Sequence, residues 1–287
     1  MDRSFPSRRW HIVAFVLLGV LALACEQGAG GAEPQPTRGA TGYPSSMAAL
    51  GDSITAGFGS CGAFLICGRN SWSTGTADAV GSHYRRILAK NPRIEDHARS
   101  FAQPGASAAD LPGQAARAVG MKAEYVTVLI GANDACVSTP ARMTPVTEFR
   151  AHVDQALARL KKGLPKSRVL VASIPDIYRL WQAGQSDPGA VRVWSRAHIC
   201  PAMLSDPTST AKPDRDRRRQ VRDRIDDYDD QLRQSCKAYG KRCRWDNGGV
   251  HESRVSLDLV NHLDYFHPDA EGQQRIAEAT YPGRFTW

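Results

Sequence analysis

The sequence has no apolar stretch long enough to cross a bilayer. Its most apolar run, Ile12 to Ala24, would extend about 20 Å as a helix, against a hydrocarbon core of ~30 Å. There is no Cys-x-x-Cys pair and no cluster of His with Cys, so the spacing of a structural metal site is missing. No internal repeat is visible, which excludes solenoids and propellers. Charge of one sign is also scarce. The formal net charge of +8 falls to +6 once the three Arg and one Asp of residues 1–24 are removed. That surplus suits contact with anionic polymers or headgroups and does not point to nucleic acid. With 42% hydrophobic and 23% charged residues, the composition is neither disordered nor collagen-like.

What is present begins with an export signature. Arg3, Arg8 and Arg9 precede the apolar run, and small Ala24 closes it, so residues 1–24 read as a cleavable signal peptide. Cys25 stands where a bacterial lipoprotein would be cut and acylated. Lipidation of Cys25, giving a membrane tether, is the expectation, and ordinary signal cleavage nearby is the alternative. Gln27 to Tyr43 is rich in Gly, Pro, Ala and Thr, so residues 25–43 read as a flexible tether and residues 44–287 as one domain. Of seven cysteines, six remain beyond Cys25, an even number that suits disulfides outside the reducing cytosol. Six cysteines allow fifteen pairings. Local spacing favours Cys61–Cys67 and Cys236–Cys243, which leaves Cys136–Cys200, but the connectivity stays open.

Strands and helices alternate along the domain. Ser46–Leu50, His97–Ala102, Tyr125–Ile130 and Arg168–Ile174 read as strands, the third and last being continuous apolar runs of the kind buried on both faces. Helical stripes run through Trp72, Val80, Tyr84, Ile87 and Leu88, then Val146 to Leu160, then Val221 to Leu232, and finally residues 269–280. This alternation predicts an α/β fold with a mostly parallel sheet and helices on both faces, whose functional crevice lies beyond the carboxyl ends of the strands. The basic run Lys212–Arg224 is broken by acids and reads as a solvated helix face. Residues 177–213 show little periodicity. They are expected to form a long loop that either walls a binding pocket with Tyr178, Trp181 and Trp194 or buries those rings beneath itself.

Three residue groups fall at the expected strand ends, after the first, second and third strands. The second of them is Gly105, which could bring a backbone N–H to the same point or simply form a turn beside Pro104. Ser53 follows the first strand in Gly51-Asp52-Ser53-Ile54-Thr55. A serine hydroxyl there needs a base to become a nucleophile, and its bland role is a helix N-cap. Thr55 excludes the Gly-x-Ser-x-Gly elbow. Gly131-Ala132-Asn133-Asp134 follows the third strand, where an Asn amide can donate to an oxyanion or simply form a turn. Asp264 and His267 are three residues apart, so the carboxylate can orient one imidazole nitrogen and leave the other for serine. Asp258 with His262 is a decoy at four-residue spacing. The other histidines read as surface or packing residues.

Taken together, these blocks resemble the SGNH, or GDSL-type, hydrolase superfamily over residues 47 to about 280. The resemblance implies a three-layer α/β/α sandwich with a flavodoxin-like sheet and no metal or organic cofactor. It implies Ser53 as nucleophile, His267 as base and Asp264 as its orienter, with Ser53 N–H, Gly105 N–H and Asn133 as oxyanion donors. Two positions depart from the family pattern: Ile54 stands where Leu is usual, and Ser100 where an Asn often precedes the Gly105 block. The six cysteines are similar in number to those of secreted actinobacterial esterases of this group. The implied activity is carboxylic ester hydrolysis through an acyl-enzyme, by an exported monomer acting on small-molecule, lipid or acylated-sugar esters. A polysaccharide O-deacetylase or a non-catalytic envelope binding lipoprotein are the alternatives.

Overall fold

The computed structural model describes residues 42–287. The expected signal peptide, Cys25 and nearly all of the expected tether lie outside the described residues. Within them, five strands form one all-parallel sheet. They are β1 (Met47–Gly51), β2 (Ala98–Ser100), β3 (Tyr125–Leu129), β4 (Arg168–Val171) and β5 (Cys243–Trp245), in the spatial order β2-β1-β3-β4-β5. The two central strands β1 and β3 are buried at every residue, while the edge strands are three residues long and partly exposed. That difference explains why the central strands read as apolar runs and why β5, short and polar, gave no signal.

The helices are α1 (Ser53–Ala56), α2 (His83–Leu88), α3 (Leu111–Gly120), α4 (Ala132–Ala135), α5 (Val146–Gly163), α6 (Ile177–Gly184), α7 (Pro188–Ala197), α8 (Pro201–Leu204), α9 (Lys212–Tyr239) and α10 (Ala270–Thr280). Connections α3, α5 and α9 pack against one another on one face. The other face carries α2 and α10, joined through buried His83. Its ring lies 2.9 Å from both Tyr125 Oη and Thr280 Oγ1, and burial pushes its pKa down to about 3. His83 is thus a packing residue, as expected of a histidine away from the site. These layers are the α/β/α sandwich expected from the sequence.

Several expectations change. The stripe from Trp72 to Leu88 is not one helix: only His83–Leu88 is α-helical, Asp78–Val80 is a single 3-10 turn, and Trp72 is anchored by Gln273 Oε1, which accepts its backbone N–H (2.9 Å). Residues 177–213 are not a loop but mostly the helices α6, α7 and α8. Trp181 and Trp194 face the core; Trp181 donates to the Pro207 carbonyl (2.8 Å) and stacks under Arg218 at 4.3 Å. Arg218 is itself 1% exposed, so the basic run of α9 is only partly a solvated face. Cation–π packing and apolar contact along the stem make that burial tolerable. The cysteines pair as Cys61–Cys67, Cys136–Cys200 and Cys236–Cys243. Among the described residues no helix is long and apolar enough to cross a membrane.

Candidate active site

β1 delivers Ser53 to the carboxyl edge of the sheet through a turn that only glycine accommodates. Gly51 has φ +151°, and a Cβ there would lie 2.6 Å from Thr55 Oγ1 and closer still to the Leu129 carbonyl. Gln114 clamps that residue from both sides, accepting its N–H (2.7 Å) and donating to its carbonyl (2.9 Å). Asp52 then caps α1 by accepting the Ile54 N–H (2.9 Å). Asp52 is fully buried and its Oδ2 has no partner among the described residues. Burial above all, aided by the nearby Asp134 charge, pushes its carboxyl up to about 7 against the opposing pull of the Ile54 N–H and His267.

The turn at residues 261–267 brings the imidazole to Ser53. His267 Nε2 lies 2.8 Å from Ser53 Oγ, and Nδ1 lies 2.7 Å from Asp264 Oδ2. With Nδ1–H donating to the carboxylate, Nε2 is free to accept the serine proton. Burial raises the pKa of Asp264. The His267 hydrogen bond and charge outweigh that, helped by the backbone N–H groups of His267 and Phe266, and hold the carboxyl below its ordinary value. The imidazole is flanked edge-on by Phe58 (5.0 Å) and Phe266 (5.1 Å). Of the decoy pair, His262 stacks on Tyr265 while Asp258 faces Arg254; the two are not brought together.

The turn is held at several points the sequence did not reveal. Asn261 Oδ1 accepts the N–H groups of Leu263 (3.0 Å) and Asp264 (3.1 Å), and its Nδ2 donates to the His267 carbonyl (3.1 Å). Trp194 Nε1 donates to the carbonyls of Asp264 (3.2 Å) and Tyr265 (3.3 Å). Tyr265 adopts φ +51°, an unusual conformation for a bulky residue, which such bracing can sustain. Only the local spacing of Asp264 and His267 was legible; Asn261 and Trp194 act through backbone atoms, which leave no motif.

The candidate oxyanion donors sit on the turns after β1, β2 and β3, which are adjacent in the sheet. Gly105 has φ +82° and is exposed. Asn133 Nδ2 donates to the Ala106 carbonyl (2.9 Å), and Asp134 Oδ2 accepts the Ala108 N–H (2.9 Å). These two bonds tie the Gly105 turn to the end of β3. The N–H groups of Ser53 and Gly105 have no protein acceptor among the described residues. Behind the site lies an apolar cavity whose lining includes Ile54, Ala132 and Phe266, chain neighbours of Ser53, Asn133 and His267, together with Ile177, Leu180 and Ile276. The β1–β3 junction, where strand order reverses, is the place where open parallel sheets hold ligands.

No curated protein matches the chain by sequence. Among solved structures it is similar to a carbohydrate acetylesterase from Sinorhizobium meliloti (14% identity, 82% of this chain and 95% of that one, TM-score 0.47). It is similar also to a family two carbohydrate esterase from Clostridium thermocellum in complex with cellohexaose (15% identity, 82% and 61%, TM-score 0.49) and to a psychrotrophic esterase from Pseudoalteromonas sp. (12% identity, 82% and 93%, TM-score 0.44). The family model of GDSL-like lipase/acylhydrolase matches residues 49–275. The chain therefore belongs to the GDSL-like lipase/acylhydrolase family, within the SGNH superfamily, and is a carboxylic ester hydrolase.

Proposed function

We propose that Ser53 attacks the ester carbonyl while His267 takes its proton, with Asp264 fixing the imidazole tautomer and stabilising the imidazolium. The observation that carries this reading is the unbroken hydrogen-bonded chain from Ser53 Oγ through His267 to Asp264. The tetrahedral oxyanion accepts hydrogen bonds from Ser53 N–H, Gly105 N–H and Asn133, each worth about 3–4 kcal/mol in the transition state when well placed. The alcohol leaves with the proton returned by His267. Water, deprotonated in turn by His267, cleaves the acyl-enzyme and restores Ser53.

The acyl part of the substrate is an aliphatic chain rather than acetyl alone, a reading supported by the apolar cavity beside Ile54 and Phe266. The protein works outside the cytosol, which the three disulfides support. Residues 1–24 serve as its signal peptide, acylated Cys25 and the following segment as its tether, and residues 44–287 as the hydrolase domain.

A fluorophosphonate probe tests the nucleophile: the folded protein should be labelled and Ser53→Ala should not. Unlabelled parent would remove the enzyme mechanism and favour a binding lipoprotein. A panel of p-nitrophenyl esters beside acetylated xylan and a phospholipid tests the substrate. Turnover of acetylated xylan with none of longer-chain esters would make the protein a polysaccharide deacetylase instead.

A further inference from the structure

The exposed large apolar side chains of the described residues are Phe64, Leu65, Ile66 and Leu263; three lie in the loop between Cys61 and Cys67, and the fourth in the 261–267 turn that carries His267. Phe64, Leu65 and Ile66 are consecutive, 63%, 50% and 55% exposed, at the tip of a loop closed by Cys61–Cys67. The loop folds back on itself, with Phe58 bridging Ile66 and the Gly59 N–H donating to the Leu65 carbonyl (3.0 Å). Its base rests on the site: the Phe58 ring lies 6.4 Å from Phe64 and 5.0 Å from His267. Gly59 leaves no room for a Cβ against Asn261 Nδ2, so the loop packs directly on the turn that carries Leu263. A soluble monomer usually spreads its exposed apolar residues singly, and a cluster at a site rim marks an interaction surface.

We propose that this tip inserts into a lipid–water interface and presents the Ser53 site to esters held there. The inference rests on the ester hydrolase reading of the site and names the surface on which it works. A lipid surface suits the observations better than a protein or a sugar. Three adjacent apolar side chains without a polar group among them offer nothing to the hydroxyls of a polysaccharide, whereas hydrocarbon accepts them all. The disulfide already constrains the tip, so little conformational freedom is lost on insertion. Charge is complementary to anionic headgroups: residues 58–70 contain no acid, and exposed Arg69 follows the loop. Arg192 and Arg196, one turn apart, are exposed on α7, the helix whose Trp194 holds the same 261–267 turn, and no ion pair engages either among the described residues. Apolar insertion with a basic rim is the usual pattern of proteins that lie at membrane surfaces.

The test uses the exported chain carrying Cys25→Ala, so that no acyl anchor contributes. Sedimentation with vesicles of phosphatidylcholine and phosphatidylglycerol measures partitioning, and p-nitrophenyl acetate measures turnover of a soluble ester. The triple substitution Phe64→Ser, Leu65→Ser, Ile66→Ser should cut vesicle partitioning about tenfold or more, with soluble-ester kcat/KM unchanged. Leu65→Ser alone, a smaller change at an exposed position, should weaken partitioning in the same direction should the triple variant misfold. Parent protein that ignores vesicles, or variants that partition as the parent does, would overturn the proposal. So would a parent dimer that the triple variant converts to monomer, or retention on insoluble xylan in place of vesicles. Vesicle binding without any soluble-ester turnover would instead defeat the hydrolase mechanism and leave the docking surface standing.

Discussion

Gly184→Ala should damage the site from a distance. Gly184 ends α6, where alanine would ordinarily stabilise a helix by up to about 1 kcal/mol. Here a Cβ would enter the Trp194 ring: Cζ2 would lie 3.1 Å away, Cζ3 2.9 Å, and Cη2 closer still. Carbon atoms pack at about 3.5–4.0 Å, so the indole must retreat by about 1 Å. It has little room, being 2% exposed. Overpacking of this kind costs about 1–3 kcal/mol, which outweighs the helix gain. For a domain of this size that is a fall in Tm of about 2–12 °C. The ring also carries the two hydrogen bonds to Asp264 and Tyr265, so its movement drags the turn bearing His267. A displacement near 1 Å in a reacting group lowers kcat by about a hundredfold. Scanning calorimetry and p-nitrophenyl ester kinetics read both effects. Adding Trp194→Phe removes the colliding atoms, so the double variant should melt above the sum of the single losses. Parent-like Tm and kcat in Gly184→Ala, or strict additivity in the double variant, would refute the coupling of α6 to the site through Trp194.

Asp264→Asn should keep the fold but lower kcat by about 10⁴, because an amide can donate to Nδ1 and stabilise the wrong tautomer; steady-state kinetics with a circular dichroism control checks this. Asp52 has a folded pKa of about 7, above its ordinary 3.8, so the native state retains a proton that the unfolded chain releases. Its contribution is present below about pH 4 and is lost as pH rises to about 7, on the order of 4 kcal/mol across that window. Asp52→Asn keeps an N-cap but not the titration, so its stability relative to parent should rise over the same window in urea titrations. Replacing Cys136 and Cys200 by Ser opens a loop of sequence separation 64 and should cost about 4 kcal/mol in the chain-entropy account, read as the difference in unfolding free energy between parent and variant without reductant.

The apolar runs of β1, β3 and β4 were legible because strands covered on both faces are selected for hydrophobicity alone. α5, α9 and α10 were legible because each buries one stripe. α3 went unread since its segment opens Leu-Pro-Gly and fills its buried face with Ala and Gln114, whose task is to clamp Gly51. The helices of residues 177–213 went unread because each is short and bounded by its own cap, so no stripe persists. At the site, Ser53, Asp264 and His267 were legible as side chains at fixed spacing. The placement of Gly105 and the bracing by Asn261 and Trp194 depend on backbone atoms brought together from distant parts of the chain. No local pattern encodes such contacts.

The all-parallel sheet has a consequence for how the protein is made. No strand can zip to its neighbour through a hairpin, because β1 pairs with segments that begin near residues 98 and 125, and β4 waits for residue 243. Loop closure must therefore precede most of the sheet's hydrogen bonding, which places folding among the slower, non-local topologies. The β4 edge of the sheet stays unpaired in a nascent chain until β5 has emerged with Cys243, the disulfide partner of Cys236 on α9. Slow closure of that sort leaves apolar strand edges unpaired for longer, so the chain depends more on dilution or chaperones while it folds.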